Sequence, residues 1–324
     1  MEISSISIII CTYKRPDLLN ETLNSLFAID TNEINQIEIL IIDNDPRFSA
    51  REIVSKYFNK VTLSVKYINE DRIGLSHARN RGISESKGEI VFFLDDDVIV
   101  NKTWLIEMLR VFDEKDAICV GGRVIVKWVE VPEYPIHECE KELIALDKGD
   151  TDQMFSGRST PIGANIAFRS CVFNQGLRFS TKLGHSGDGQ ISGEETEMIW
   201  QLQRQNKPIW YSAKGIVYHQ FSGERCKKIY YIRQYYWFGV SYTMIDKEID
   251  NLAICIIIGV LRISKAIILD LPKWILFRII RNRPASFLLS CKIAKAIGYW
   301  NGILFDKRER HDDIIMQLYR FLNV

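Results

Sequence analysis

At 324 residues, with 47% hydrophobic and 26% charged residues, the chain has the make-up of a folded globular protein and length enough to bury a full core, which excludes a disordered or low-complexity chain. Its seven cysteines are scattered and odd in number with no Cys-x-x-Cys pair, so neither a disulfide framework nor a zinc ribbon is expected and the cytoplasm is the expected compartment. The net charge of +1 conceals a segregation: from Asn251 to Phe305 eight basic residues stand against one acid, Asp270, a local balance of +7.

The run Ile6 to Cys11 has no basic leader and is too short for a signal core or a span, so it reads as the first core strand, ending at Thr12. Pro16 then stands where a helix can begin, and Leu18, Leu19, Leu23, Leu26 and Phe27 recur at helical spacing. A second apolar run, Ile37 to Ile42, delivers Asp43 into the turn Asp43-Asn44-Asp45-Pro46. A helix near Arg51 to Phe58 and a strand near Val61 to Ile68 follow. This alternation predicts an α/β fold with a mostly parallel sheet and helices on its faces.

The segment Asp71 to Gly82 opens a helix at Gly74 and places Arg79 and Arg81 in its early turns, an arrangement suited to an anion such as a phosphate. Next comes Gly88 to Val100, in which an apolar run delivers Asp95, Asp96 and Asp97 in succession. Three adjacent carboxylates either lie open to water or hold a cation, and hard oxygen ligands suit Mg²⁺ or Mn²⁺. The C-terminal ends of neighbouring strands in an open α/β sheet share one ligand crevice, so the phosphate-binding helix and the carboxylates point to one site.

A helix at Thr103 to Phe112 and a strand at Ala117 to Val126 precede a weakly periodic stretch, Lys127 to Thr160, long enough to be a functional lid or to contain small elements. An extended pattern resumes at Pro161 to Phe168, where Gly163 allows close backbone approach and Asn165 offers an amide. Glu194, Glu195 and Glu197 open the next helix, either as partners of its dipole or with one of them as a general base. A strand from Pro208 to Tyr218 leads to His219, a candidate metal or phosphate ligand.

Taken together, Ser7 to Tyr13 with Lys14-Arg15-Pro16, Ile41-Ile-Asp43-Asn44, Gly74-Leu-Ser-x-Ala-Arg79-Asn80-x-Gly82, Phe93-Leu-Asp95-Asp96-Asp97, Gly163-Ala-Asn165 and Gly193-Glu194-Glu195 resemble the family 2 glycosyltransferases, inverting enzymes of the GT-A fold. The six pieces occur in the family's order over roughly residues 5 to 225. The resemblance implies that Thr12, Tyr13, Arg15 and Asp43 border the nucleotide, that Arg79 lies near the diphosphate, and that Asp95 and Asp96 sit at the ribose and donor sugar. Asp97, with Asp95 and His219, would hold Mn²⁺ or Mg²⁺, and Gly163 and Asn165 would line the acceptor side. Where the family carries Glu-Asp this chain carries Glu194-Glu195; the base would be Glu195, with Glu194 the alternative. The donor implied is a nucleotide-sugar, UDP favoured, and the acceptor a saccharide or lipid-linked hydroxyl in surface-polysaccharide synthesis.

The expected organisation is a catalytic domain over residues 1–225 and a helical, basic and apolar region over 226–324. In the latter, Leu252 to Leu261 is followed by Arg262 and Lys265, and no stretch reaches the roughly 18–20 uninterrupted apolar residues of a span. Basic residues interleaved with aliphatic runs fit a membrane surface and not nucleic acid, so helices lying in the interface, on the inner face of the cell membrane, are expected. The other reading is a helical subdomain that packs on the core or makes a dimer. A nucleotidyltransferase is disfavoured because Thr12-Tyr13-Lys14-Arg15-Pro16 is not glycine-rich. A non-catalytic sugar-nucleotide-binding or assembly protein is disfavoured because a binding module has no use for a base.

Overall fold

The computed structural model describes residues 5–31, 34, 36–58, 63–133, 136, 143–184, 191–249, 251–304 and 309–322; part of the Lys127 to Thr160 stretch, including Pro135, lies outside the described residues. Two compact units emerge. The first comprises Met1–Lys127, Ala145–Asp188 and Glu194–Gln220; the second comprises Trp128–Ile144, Gly189–Gly193 and Phe221–Val324.

The first unit is built on the sheet formed by β1 (Ser5–Thr12), β2 (Gln36–Asp43), β3 (Ser64–Asn69), β4 (Ile90–Asp95), β5 (Val98–Val100), β6 (Cys119–Trp128), β7 (Gln153–Met154), β8 (Asn165–Arg169) and β9 (Ile209–Phe221). Their order is β3-β2-β1-β4-β8-β6-β9-β5, with β7 on β9. The first four are parallel, and β8 joins β4 antiparallel. Central parallel strands are covered on both faces, which is why Ile8, Ile9 and Ile10 of β1 and Ile90 to Leu94 of β4 are continuous apolar runs and are buried. Chain progression reverses direction between β1 and β4, the switch point at which an open sheet offers a crevice. The register pairs Thr12 with Asp43 and Cys11 with Asp95, so three of the expected site residues reach the same sheet edge.

Helices α1 (Pro16–Leu26), α2 (Arg51–Ser55), α3 (Leu75–Glu85), α4 (Trp104–Glu114), α5 (Cys171–Asn174) and α6 (Glu194–Arg204) complete this unit. Helix α1 starts on Pro16 and buries Leu19, Leu23 and Leu26. Helix α3 lies close on β1, since a Cβ at Gly82 would stand 2.5 Å from Ile9 Cγ2. The Gly88 to Val100 run is divided: β4 ends at Asp95, Asp96 and Asp97 form a turn, and β5 pairs antiparallel with β9, Val98 opposite His219. The division follows from the carboxylates, whose partners lie at the strand end and pull the chain out of the ladder.

The second unit contains α7 (Lys228–Ile249), α8 (Leu252–Lys265), a π-helical turn at Ala266–Asp270, α9 (Leu271–Ile279), α10 (Arg283–Leu304) and α11 (Glu309–Phe321). Gly239 of α7 and Gly298 of α10 let the two backbones touch: a Cβ at either would fall 2.0–2.1 Å from a carbonyl oxygen of the other helix. Thr243 Oγ1 donates across the crossing to Tyr299 O at 2.7 Å. The tail differs from the sequence expectation in one respect. Arg262 and Lys265 do not interrupt it, and Leu252–Ile279 is one 28-residue helical rod. Arg262 stacks on the Tyr299 ring, 4.2 Å from its centroid, Lys265 pairs with Asp270, and the π turn absorbs the amide that Pro272 lacks.

Candidate functional site

The aspartate turn is held by partners from two strands and the turn before α1. Thr12 Oγ1, at the end of β1, donates to Asp96 Oδ2 at 2.7 Å. Arg15, in the turn before α1, places Nη2 2.6 Å from Asp96 Oδ1 and Nη1 2.7 Å from Asp97 Oδ2. From β9, His219 Nε2 lies 2.9 Å from Asp97 Oδ1, and the Gln220 amide donates to Asp97 O. Asp96 and Asp97 are buried and Asp95 is half-buried. Burial pushes the Asp96 carboxyl up to about 7, with the Arg15 guanidinium pulling against it and the Asp97 charge adding to it.

Asp95, Asp97 and His219 each offer a ligand atom, and the three atoms lie within 4.8 Å of one another. Two carboxylate oxygens with one imidazole nitrogen form a donor set that a divalent cation of the Mn²⁺ or Mg²⁺ type fits, the nitrogen favouring Mn²⁺. The geometry therefore brings together the three residues that the sequence offered as candidate metal ligands.

Arg79 forms the second centre. It is buried on α3, with Nη1 2.6 Å from Glu194 Oε1 and 4.0 Å from Glu195 Oε2, and Nη2 3.5 Å from Asp95 Oδ1. Its guanidinium also lies 5.3 Å from the centroid of the Phe179 ring. Burial works against its charge, and the neighbouring carboxylates, Glu194 foremost, overcome that and raise its pKa. The Glu195 carboxyl is pushed up to about 8 by burial and by the Glu194 charge, with Arg79 pulling the other way. One guanidinium thus links the Asp95, Asp97 and His219 cluster, through Asp95, to both glutamates at the start of α6. Gly163 is required there, because a Cβ would meet Arg79 Nη2 at 2.5 Å.

The remaining expected residues divide. Tyr13 stays half-exposed beside Thr12, with Lys14 Nζ 4.6 Å from its ring centroid. Asp43 is buried and already engaged: its carboxylate accepts from the Asp45 and Ala50 amides at 3.0 and 2.9 Å and from the Tyr67 hydroxyl at 2.8 Å, fixing the turn after β2. Asn165 does not line the crevice. It is fully buried, its Oδ1 accepting from Trp104 Nε1 and its Nδ2 donating to the Gly215 and Arg123 carbonyls, so it shapes the wall from behind.

Three contributors escaped the sequence reading. Asn44 donates to the Glu70 and Arg72 carbonyls and accepts from the Gly74 amide, tying the turn after β2 to the start of α3; its place in Asp43-Asn44-Asp45-Pro46 was the available signal. Phe179 and Gly184 come from a stretch without periodicity. Gly184 has φ +93°, and a Cβ there would meet Ser76 Oγ at 2.6 Å and Glu194 at 3.5 Å.

Comparison with known proteins extends this description. The family described as Glycosyl transferase family 2 matches residues 7–177. The chain is 26% identical over 246 residues to the glucosyl-dolichyl phosphate glucuronosyltransferase of Haloferax volcanii, covering 74% of this chain and 77% of that protein. It is 27% identical over 220 residues to the succinoglycan biosynthesis protein ExoM of Rhizobium meliloti, covering 66% of each. Among solved structures, residues 1–349 of TarS from S. aureus superpose with a TM-score of 0.51 at 21% identity, over 76% of this chain and 66% of that one. GalNAc-T7 crystallised with UDP, GalNAc and Mn²⁺ superposes with a TM-score of 0.53 at 17% identity, over 74% and 51%.

Proposed function

The chain belongs to glycosyl transferase family 2, and from that premise we propose that this glycosyltransferase moves a sugar with inversion from a nucleotide-diphosphate donor, UDP favoured, to a hydroxyl of a saccharide or lipid-linked acceptor. The observation that carries the reading is the single guanidinium of Arg79, which joins the Asp95-Asp97-His219 cluster to Glu194 and Glu195. Such an array places groups that neutralise a leaving diphosphate beside a carboxylate able to take a proton.

Asp97, Asp95 and His219 would hold the divalent cation, which when bound supplies Lewis-acid neutralisation of the diphosphate oxygens. Thr12, Tyr13, Arg15 and Asp43 border the nucleotide, Asp96 the ribose and donor sugar. Arg79 holds fixed positive charge next to the reacting centre. Glu195 takes the proton of the acceptor hydroxyl. The acceptor oxygen then bonds to the anomeric carbon from the opposite face while the bond to the diphosphate breaks, its electron pair leaving with the diphosphate. Glu194, closed on Arg79 at 2.6 Å, is its counter-ion and not the base. Gly163 keeps the acceptor-side wall clear of Arg79.

The relative named for glucosyl-dolichyl phosphate supports a lipid-linked acceptor, and the neighbour holding UDP and Mn²⁺ on the same fold is in keeping with the donor and the cation. On this reading the enzyme works at the inner face of the cell membrane, as a peripheral protein. The test is a thermal-shift panel of UDP, GDP, dTDP and CMP, each with and without Mn²⁺, on wild type and Asp97→Ala. One nucleotide should stabilise the wild type by about 2.7 kcal/mol at a hundred times its Kd, only with the cation, and not the variant. No shift with any nucleotide would remove the reading.

A further inference from the structure

Of the twenty-two large hydrophobic side chains exposed among the described residues, thirteen lie between Leu252 and Ile280. They are not scattered: they run along the rod that α8, the π turn and α9 make and around most of it, leaving only a narrow stripe buried. Ile257 is 58% exposed, Leu261 63%, Ile268 68% and Ile279 72%. Only 17% of the rod's most apolar window is buried, at a mean hydropathy of 2.4. A patch of this extent exceeds what a soluble monomer leaves to water.

The two cations within the first part of the rod are answered from within the helical unit. Cys255, Gly259, Ala266 and Asp270 form the buried stripe. Gly259 admits Trp300 and Ile303 of α10. Arg262 lies over the Tyr299 and Tyr242 rings, and Lys265 closes on Asp270, which is 7% exposed. From Leu252 to Leu269 the outward face therefore carries no cation without an internal partner. That pattern inverts the amphipathic helix of a soluble protein, whose charged side faces out. Beyond it, Lys273, Arg281 and Arg283 are exposed at one end of the same rod.

We propose that the outer face of this rod is a monotopic membrane anchor that sinks its aliphatic side chains below the headgroups of an anionic bilayer, with Lys273, Arg281 and Arg283 on the lipid phosphates. This deepens the peripheral reading given above and rests on it. The rod, at 28 residues and about 42 Å, is long enough to cross. It lies flat because its inner face packs on α10, which carries Lys292 and Lys295, and α10 in turn packs on α7, which carries Arg233, Asp246 and Lys247. A crossing would take those charges into hydrocarbon. A second copy fits less well, since this face offers no exposed acid to answer its own basic cluster, whereas anionic lipid does.

The test is flotation of the full chain with phosphatidylcholine vesicles and with vesicles containing phosphatidylglycerol, alongside size-exclusion chromatography and donor hydrolysis. Wild type should bind the anionic vesicles at least about tenfold more tightly than the neutral ones. Leu261→Asp with Ile268→Asp should abolish binding to both, with Ile257→Ser and Ile268→Ser as the milder pair should the first not fold. Lys273→Glu, Arg281→Glu and Arg283→Glu together should remove the anionic preference. The proposal is overturned if wild type floats with neither vesicle, if the apolar variants float as well as wild type, or if the protein is a dimer that Leu261→Asp dissociates and that ignores vesicles. Wild type that hydrolyses donor but floats with neither vesicle refutes the anchor alone; wild type that floats but hydrolyses no donor refutes the transferase chemistry alone.

Discussion

Glu194 and Glu195 are adjacent and identical in type, yet their surroundings give them different capacities. The Glu194 side chain is 3% exposed and sits 2.6 Å from Arg79; that of Glu195 is 19% exposed and 4.0 Å away. Glu194 is closed on a buried guanidinium, while the Glu195 carboxyl, pushed up to about 8, holds a proton readily. Glu195→Gln should lower kcat by roughly 10²–10⁴-fold with little change in donor KM, as read in a coupled nucleotide-release assay. Glu194→Ala should instead cost stability, near the lower end of the roughly 3–5 kcal/mol for orphaning a buried charge because Asp95 remains beside Arg79, as measured by urea unfolding. The raised pKa also fixes the sign of the pH effects. With the ionised form of Glu195 as the proposed base, turnover should climb as pH rises through about 8. Because the folded-state pKa lies above the unfolded one, its contribution to stability is complete below the ordinary carboxylate range and is lost as pH rises towards 8. The unliganded wild type should therefore lose Tm relative to Glu195→Gln between pH 5 and pH 9, and parallel profiles would contradict this.

At the scale of elements, what the sequence made legible is what burial writes into it. β1 and β4 are covered on both faces and so read as unbroken apolar runs, and α1 announces itself by Pro16 and its leucine spacing. Asp95 and Asp97 stood out as candidate ligands because successive carboxylates at the end of an apolar strand call either for water or for a cation. Asn165 was not, because its partners Trp104 and Gly215 lie 61 and 50 residues away and no local pattern marks such bonds. The tail was misjudged where Arg262 and Lys265 looked like interruptions, although an aromatic face and Asp270 take up their charges. Nor did the sequence disclose that Gly239 and Gly298 carry the α7–α10 crossing. There a side chain meets backbone, which cannot swing aside: Gly298→Val should destabilise by more than the usual 1–3 kcal/mol or so of an overpacked core. Thermal unfolding and limited proteolysis of the helical region would register the loss; an unchanged melting curve would mean the helices can part at little cost.

At the scale of the whole chain, composition suggested a cut near residue 225, where the sheet pattern gives way to basic, apolar helices. The second compact unit begins close by, at Phe221, but it also takes in Trp128–Ile144 and Gly189–Gly193 from within the preceding sequence. The ties are specific. Val129 N donates to Phe221 O at 2.9 Å, Glu133 N to Cys226 O at 2.8 Å, and the Lys228 amide to Glu133 Oε2 at 3.0 Å. Trp128 packs edge-on against Phe221 at 5.6 Å between centroids, and the Ser192 amide donates to Ser241 Oγ at 3.1 Å. A boundary drawn by composition along the chain could not register segments that leave one unit, join another and return. A chain ended after Arg225 keeps Glu133 and Ser192 and discards Cys226, Lys228 and Ser241, leaving the Glu133 and Ser192 amides without their partners and the helices that complete the second unit absent. Expressed alone, residues 1–225 should be recovered mainly as aggregate, or should melt well below the full chain in the same buffer. If they instead fold with the full chain's Tm and retain donor binding, the 128–144 and 189–193 segments contribute nothing essential to the second unit, and the simple linear division is correct.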